Sequence, residues 1–338
     1  MVKRCLLVLA FAAAHSAAAL STATPGTPAS ASASHGAPEK YRAWRMAAAQ
    51  VLVSRTDANS LATAAALRYS GSVGAARTAG TADKPSAVEL AARASELQPQ
   101  SASLGWLHLQ LCSGTPGCDI RDVATVMRWV DADNGAAWVQ TLAAAQKDRD
   151  QTEIDRILAD MTHGTRFDLY WNRIVVLMVE TLRAARGELP GGFAGSDAAR
   201  LTTVTGIAGA EIIPAFSPLV EACRESGGAP ERHDLCLKLS KTMQHGDTIA
   251  AQLAGFSIER HLLPPDSKEA RAISERKHIL EWRQTEAAKF DTPLLPWMKN
   301  ARARARLALM RAMPREEDVC IAILREHNVA LEPPEEHR

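Results

Sequence analysis

Residues 134–161, with the sequence NGAAWVQTLAAAQKDRDQTEIDRILADM, decide the fold class because they have the pattern of one helical hairpin. The pattern predicts helices over 135–147 and 150–161 with a short connection between them. Equivalent patterns predict helices over about 120–130 and 167–186. Similar caps and breaks recur along the chain, whereas no stretch shows the strict alternation of a strand bounded by turn residues. We therefore predict an all-α fold with helix in more than half of the mature chain.

The spacing of three tryptophans indicates that a hairpin of this kind repeats along the chain. Trp106, Trp138 and Trp171 lie 32 and 33 residues apart, and each falls near the start of a predicted helix. A period near 33 residues is typical of one helix–turn–helix unit that buries its face on the next unit. The spacing predicts helical-hairpin repeats that continue into a C-terminal helical region, with Trp138 buried between adjacent hairpins.

The same region resembles a tetratricopeptide-type helical repeat over about residues 90–175. Residues 94–99, Ala-Ser-Glu-Leu-Gln-Pro, are similar to the ending of that family's repeat, and Trp138 matches its opening tryptophan. Thr141 and Leu142 depart from the family, which has Leu and Gly at these positions. The resemblance implies an α-solenoid whose concave face binds a partner protein or peptide.

The N-terminus predicts export. Residues 1–19 have a charged start at Lys3 and Arg4, an apolar run over 5–14 and small residues at 17–19, which is typical of a signal peptide. The alternative is a membrane anchor, but the run is about half of the roughly 20 residues that span a bilayer. We expect cleavage after Ala19, no membrane span in the mature chain, and a soluble periplasmic or secreted protein.

Composition divides the rest of the chain. Residues 20–40 are rich in Ala, Ser, Thr and Pro and have no apolar period, which predicts a flexible leader. The Gly/Pro-rich break at 187–195 separates a predicted helical repeat region, 41–186, from a predicted C-terminal helical region, 196–332.

The cysteines fit an oxidising compartment. Five remain after cleavage: Cys112, Cys118, Cys223, Cys236 and Cys320. The first two flank a Gly/Pro turn, and the next two flank a polar loop. We therefore predict two local disulfides, Cys112–Cys118 and Cys223–Cys236. Cys320 lies in an apolar helical run, which predicts a buried thiol outside both disulfides.

Zinc is the alternative for the second pair, because His233 together with Cys223 and Cys236 offers three possible ligands. An oxidising compartment and the lack of a closely spaced Cys-x-x-Cys pair favour the disulfide. We predict no metal site and no cofactor.

Charge and motifs limit the function. Lys and Arg total 39 against 38 Asp and Glu, which disfavours a dedicated nucleic-acid binder. No catalytic motif is present, so we predict a protein- or peptide-binding scaffold of the bacterial envelope whose partner the sequence does not identify. The alternative is an all-α lyase or hydrolase with a dispersed site, for which Glu281, His278 and Asp168 are candidates.

Overall fold

The computed structural model describes residues 36–69, 85–224, 230–290 and 296–335. The predicted signal peptide lies outside these ranges, and so do residues 20–35 of the predicted leader. The last five residues of that leader differ from the prediction, because the first helix already begins at Gly36. Glu39 lies in its first turn, where a carboxylate stabilises the positive end of the helix dipole.

Helix dominates, and the predicted all-α class is confirmed: the structure is 73% helical. The described ranges contain no β-strand, only one isolated bridge between Asn134 and Arg166. The α-helices are α1 (Gly36–Val53), α2 (Ala58–Arg68), α3 (Ala87–Leu97), α4 (Ala102–Ser113), α5 (Ile120–Val130), α6 (Val139–Lys147), α7 (Gln151–Met161), α8 (Trp171–Ala184), α9 (Asp197–Glu211), α10 (Ser217–Arg224), α11 (Pro230–Met243), α12 (Ile249–Leu262), α13 (Lys268–Lys289), α14 (Pro296–Ala312) and α15 (Glu316–Glu326). A 3₁₀ helix, Gly135–Trp138, precedes α6.

Local capping explains why the helices begin where they do. The side chain of Ser86 accepts a hydrogen bond from the backbone N–H of Glu89, whose carboxylate accepts one from the Ser86 N–H in return. Asp150 caps α7 in the same way, by accepting from the N–H of Glu153 at 3.0 Å. Each such cap satisfies N–H groups that have no partner inside the helix.

Helices adjacent in sequence pack against each other, as in α2–α3, α4–α5, α6–α7, α8–α9 and α11–α12. Helices distant in sequence pack as well: α2 lies on α8, α6 on α10, α7 on α11, and α14 on α8 and α9. A purely linear solenoid has contacts between neighbouring repeats alone. The hairpins of this chain are therefore also joined by long-range packing around one continuous apolar core.

The three periodic tryptophans have different surroundings. Trp106 is fully buried, and its indole N–H donates to the carbonyl oxygen of Ile212 at 3.2 Å. Trp138 packs against the core but is only half-buried, less than predicted, because charged side chains of α5 and α7 cover its ring. The guanidinium of Arg128 lies 4.0 Å from the ring centre and that of Arg156 lies 5.6 Å from it.

Candidate functional site

An open groove of about 340 Å³ lies between α3, α4 and α5, and we call it the α3–α5 groove. Its walls are formed by residues of the three helices and of the α3–α4 turn: Ala92, Ser95, Glu96, Gln98, Pro99, Ser101, Gly105, His108, Asp122, Val123, Val126, Met127, Trp129 and Val130. This volume is at the lower end of the range of ligand pockets in proteins, about 300–1,000 Å³.

The close approach of α4 and α5 forms the floor of the groove. A Cβ atom on Gly105 would lie 3.0 Å from the sulfur of Met127, so the glycine allows the two helices to pack tightly at this point. The α4–α5 connection is closed by the Cys112–Cys118 pair. Asp119 then caps α5 by accepting from the N–H of Arg121 at 2.9 Å. The groove is thus positioned by ordered helices and a short closed turn.

Large apolar side chains are exposed at this groove. Among the described residues, four large hydrophobic side chains are more than a third exposed: Leu97 at 55%, Val126 at 60%, Trp129 at 75% and Phe193 at 38%. Val126 and Trp129 line the groove, and Leu97 lies between two residues that line it. A single exposed apolar residue is ordinary, whereas several grouped beside a groove indicate an interaction surface.

The charged side chains that line the groove are acidic. Glu96 and Asp122 contribute to its wall, and no Lys or Arg is among the described residues that line it. His108 also faces the groove. Burial lowers the pKa of His108, and the nearby carboxylate of Glu96 opposes that shift.

The two arginines of α5 point to other surfaces. The guanidinium of Arg121 lies 3.8 Å from the carboxylate of Asp148, and that of Arg128 covers the ring of Trp138. The negative charge of the groove wall is therefore not compensated by the cations of its own helix.

A second polar feature is a buried network where interhelical loops meet, which we call the loop junction (residues 131–134, 166–170 and 247). The carboxylate of Asp131 accepts hydrogen bonds from the guanidinium of Arg166 and the hydroxyl of Tyr170. The side-chain oxygen of Asn134 accepts from the backbone N–H of Asp168 at 2.9 Å, and its amide donates to the Asp168 carbonyl at 2.9 Å.

Asp247 completes the loop junction from the α11–α12 connection. Its carboxylate accepts from the backbone N–H groups of Leu169 and Tyr170, both at 2.7 Å. Burial raises the pKa of Asp247 to about 8. The Asp247 carbonyl in turn accepts from the N–H of Glu316 at 2.7 Å. These polar groups bind the backbone of connecting loops, so the loop junction fixes the arrangement of helices.

The loop junction also explains where α8 begins. The sequence predicted a helix from residue 167, but α8 starts at Trp171. Asp247 and Asn134 hold residues 168–170 outside the helix, and Tyr170 has a left-handed backbone with φ of 58°. The determinant lies more than 75 residues away in sequence, at Asp247.

A separate cleft, of about 520 Å³, lies between α2, α8 and α14. Three arginines line it, but two of them are compensated. Arg311 is ion-paired with Glu180, and Arg55 with Glu188 at 2.9 Å. Arg173 and the capping carboxylate of Asp57 add one charge of each sign. The cleft therefore offers no concentrated charge, and its apolar lining residues, Val176, Leu177, Ala184 and Met310, include none of the highly exposed large hydrophobic side chains.

The cysteine geometry supports the predicted pairing. The sulfur atoms of Cys112 and Cys118 lie 2.03 Å apart, and those of Cys223 and Cys236 lie 2.07 Å apart. Cys320 is buried and lies in neither pair. Within the described ranges no group of three His, Cys, Asp or Glu side chains is arranged to hold a metal ion.

The candidate catalytic residues lie on different elements. Asp168 is in the loop before α8 and forms an ion pair with Arg166 at 2.7 Å. His278 and Glu281 lie on α13, where Glu281 is 3.6 Å from Lys277. The polar contacts of Asp168 are with Arg166 and Asn134 and not with α13.

The sequence reasoning did not find the α3–α5 groove. A signal was present in α5, IRDVATVMRWV, whose apolar residues occupy too wide an arc for one buried stripe. Ala124 and Met127 are buried, whereas Val126 and Trp129 are exposed on the remaining arc. An amphipathic helix with surplus apolar residues is thus a sign of a surface that has a second partner.

The length and hydrophobicity of the helices bear on whether the chain crosses a membrane. None of the helices in the described ranges is long and apolar enough to cross a lipid bilayer.

Comparison with protein-family models, with curated proteins and with solved structures finds no match to this chain.

Proposed function

We propose that this chain is an exported helical scaffold that binds a segment of another protein in the α3–α5 groove. The observation that carries the proposal is that Val126 and Trp129, two large and highly exposed apolar side chains, line the same groove. Tryptophan is enriched among the residues that dominate binding energy at protein interfaces. Helix-lined grooves with apolar walls are a recurrent mode of peptide recognition.

The cysteine pairs support the exported part of the proposal. Disulfides form and persist in oxidising compartments such as the periplasm and the extracellular space. Two pairs at bonding distance are therefore typical of a protein outside the cytoplasm. The signal peptide predicted at residues 1–19 is the sequence feature that agrees with an exported protein.

The tetratricopeptide resemblance stays a proposal of its own. It favours peptide binding, but it assigns the binding to a concave face formed by successive hairpins. The α3–α5 groove includes only the first of these hairpins and the helix before it, so the two proposals differ in which residues contact the partner.

The experiment is a selection of short random peptides, displayed on phage, against the purified mature chain. Peptides that bind the groove should lose affinity for Trp129→Ala by at least about tenfold, since central tryptophans contribute about 2 kcal/mol or more at interfaces. Phe193→Ala is the matched control, because Phe193 is also an exposed aromatic but lies in the α8–α9 connection.

Selected peptides that bind the wild type and Trp129→Ala equally would contradict the proposed site. Equal losses in Trp129→Ala and Phe193→Ala would indicate non-specific attraction to exposed aromatic residues, and would contradict it as well.

A further inference from the structure

The charge of the α3–α5 groove restricts what its occupant is made of, provided that the groove is the binding site proposed above. Glu96 and Asp122 are both exposed on its wall, and neither forms an ion pair within the described part of the chain. An apolar segment that covers the groove brings its own flanking residues close to these carboxylates.

A second copy of this chain is a poor occupant. In a twofold contact the same surface faces itself, so Glu96 and Asp122 of one copy would approach those of the other. Like charges brought together at an interface cost free energy and suppress that pairing. Burial of the two carboxylates without a cation would add a desolvation cost.

Three of the chain's own segments outside the described ranges also lack suitable anchors or charges. The segment 291–295 contains Leu294 and Leu295 but no Lys or Arg to face the two carboxylates. The predicted leader, 20–40, contains Leu20 as its only aliphatic residue larger than alanine, apart from proline. The segment 70–84, SGSVGAARTAGTADK, contains only Val73. Neither segment has several large apolar side chains to cover Leu97, Val126 and Trp129 together.

From this geometry we infer that the occupant is a segment of a different protein that carries large apolar side chains flanked by lysine or arginine. Its apolar side chains fill the space between Met127, Val126 and Trp129. Its cations lie at the groove wall, opposite Glu96 on α3 and Asp122 on α5. The two carboxylates lie on different helices, so each can pair with a separate cation of the segment.

The test uses the same displayed peptides, sorted by whether their binding requires Trp129. Synthetic versions of the Trp129-dependent peptides are titrated against the wild type, Glu96→Gln and Asp122→Asn. We expect Lys and Arg to be enriched in these peptides, and affinity to fall about two- to fivefold for each substitution, the range of an exposed ion pair. Affinity should also fall as salt shortens the screening length from about 30 Å at 0.01 M to about 8 Å at 0.15 M.

The matched controls are Glu269→Gln and Glu275→Gln on α13, where both carboxylates are exposed and far from the groove wall. Glu269 lies in the first turn of its helix, as Asp122 does, so it also controls for the helix dipole. Both control variants should bind as the wild type does. Circular dichroism of every variant checks that the helices are retained.

Each outcome separates the inference from the proposed function. Trp129-dependent peptides without basic residues, or with unchanged affinity for Glu96→Gln and Asp122→Asn, overturn the charge inference and leave the groove as the binding site. Peptides that do not depend on Trp129 overturn both. Self-association of the wild type that is lost in Trp129→Ala, measured by sedimentation, assigns the groove to a second copy and also overturns the inference.

Discussion

The α3–α5 groove exposes apolar side chains to solvent, whereas the loop junction buries polar side chains. In the groove, Val126 and Trp129 are apolar and exposed. In the loop junction, the carboxyl groups of Asp131 and Asp247 are buried and hydrogen-bonded. Buried polar groups that are satisfied fix a structure, whereas exposed apolar groups leave free energy available for a partner.

The largest contrast should appear between two tryptophans. We expect Trp106→Ala to lower the free energy of unfolding by about 3–5 kcal/mol, because the side chain is fully buried and its N–H is bonded to Ile212. Trp129→Ala should change it by less than about 0.5 kcal/mol, the range of an exposed position. Urea denaturation of both variants measures the difference. A destabilisation by Trp129→Ala as large as that by Trp106→Ala would remove the distinction between groove and core.

The disulfides should have the next largest effect. Replacement of both cysteines of a pair by serine should cost roughly 2–3 kcal/mol, with the longer 223–236 loop at the upper end of that range on the chain-entropy model. Thiol titration of the denatured mature protein should give one thiol before reduction and five after it. Five thiols before reduction, in protein isolated from an oxidising compartment, would refute both pairs.

A smaller loss is expected at the loop junction itself. Asp131→Asn replaces a carboxylate whose two oxygens accept hydrogen bonds from Arg166 and Tyr170. The amide that replaces it has one acceptor oxygen, so it cannot serve both donors as the carboxylate does. We expect a loss of about 1–3 kcal/mol, the cost of leaving a buried hydrogen-bonding group without its partner. Asp133→Asn, in the same loop but exposed, should be close to neutral. Thermal denaturation of the two variants would contradict this role if their losses were equal.

The pH dependence of stability is a separate test of the loop junction. The folded-state pKa of Asp247 is raised to about 8 from an ordinary 3.8, so the folded state binds its proton more tightly than the unfolded state does. The contribution to stability is present at low pH and is lost as pH rises through about 8. The stability of the wild type relative to Asp247→Asn should therefore decline from about pH 4 to about pH 8, between the ordinary and the folded-state pKa values, and level off above that. A difference that stays constant or grows with pH would show that Asp247 is ionised throughout.

The helices were predictable because their determinants are local. Caps and turn residues lie within a few positions of the helix ends, and α5 and α6 end where the sequence predicts, at Val130 and Lys147. The start of α8 was not predictable, because it depends on the carboxylate of Asp247 in a distant loop. Long-range hydrogen bonds of this kind leave no periodic signal in the residues that they hold.

The groove was not predictable for a related reason. Whether Trp129 is buried depends on which helix covers its face, and that is decided by packing between α3, α4 and α5. The sequence showed Trp106 and Trp138 at equivalent places in a period, yet the first is buried and the second lies under two arginines. Residue spacing predicts which element a side chain occupies, and tertiary packing decides its environment.

The central claim is that the partner segment binds between α3, α4 and α5. Hydrogen exchange with mass spectrometry, on the full mature chain with and without a selected basic and apolar peptide, tests it most directly. The account predicts slower exchange in residues 87–130, with the α2–α8–α14 cleft and α13 unchanged. Slower exchange confined to α8 or α14, with residues 87–130 unaffected by a bound peptide, would contradict it.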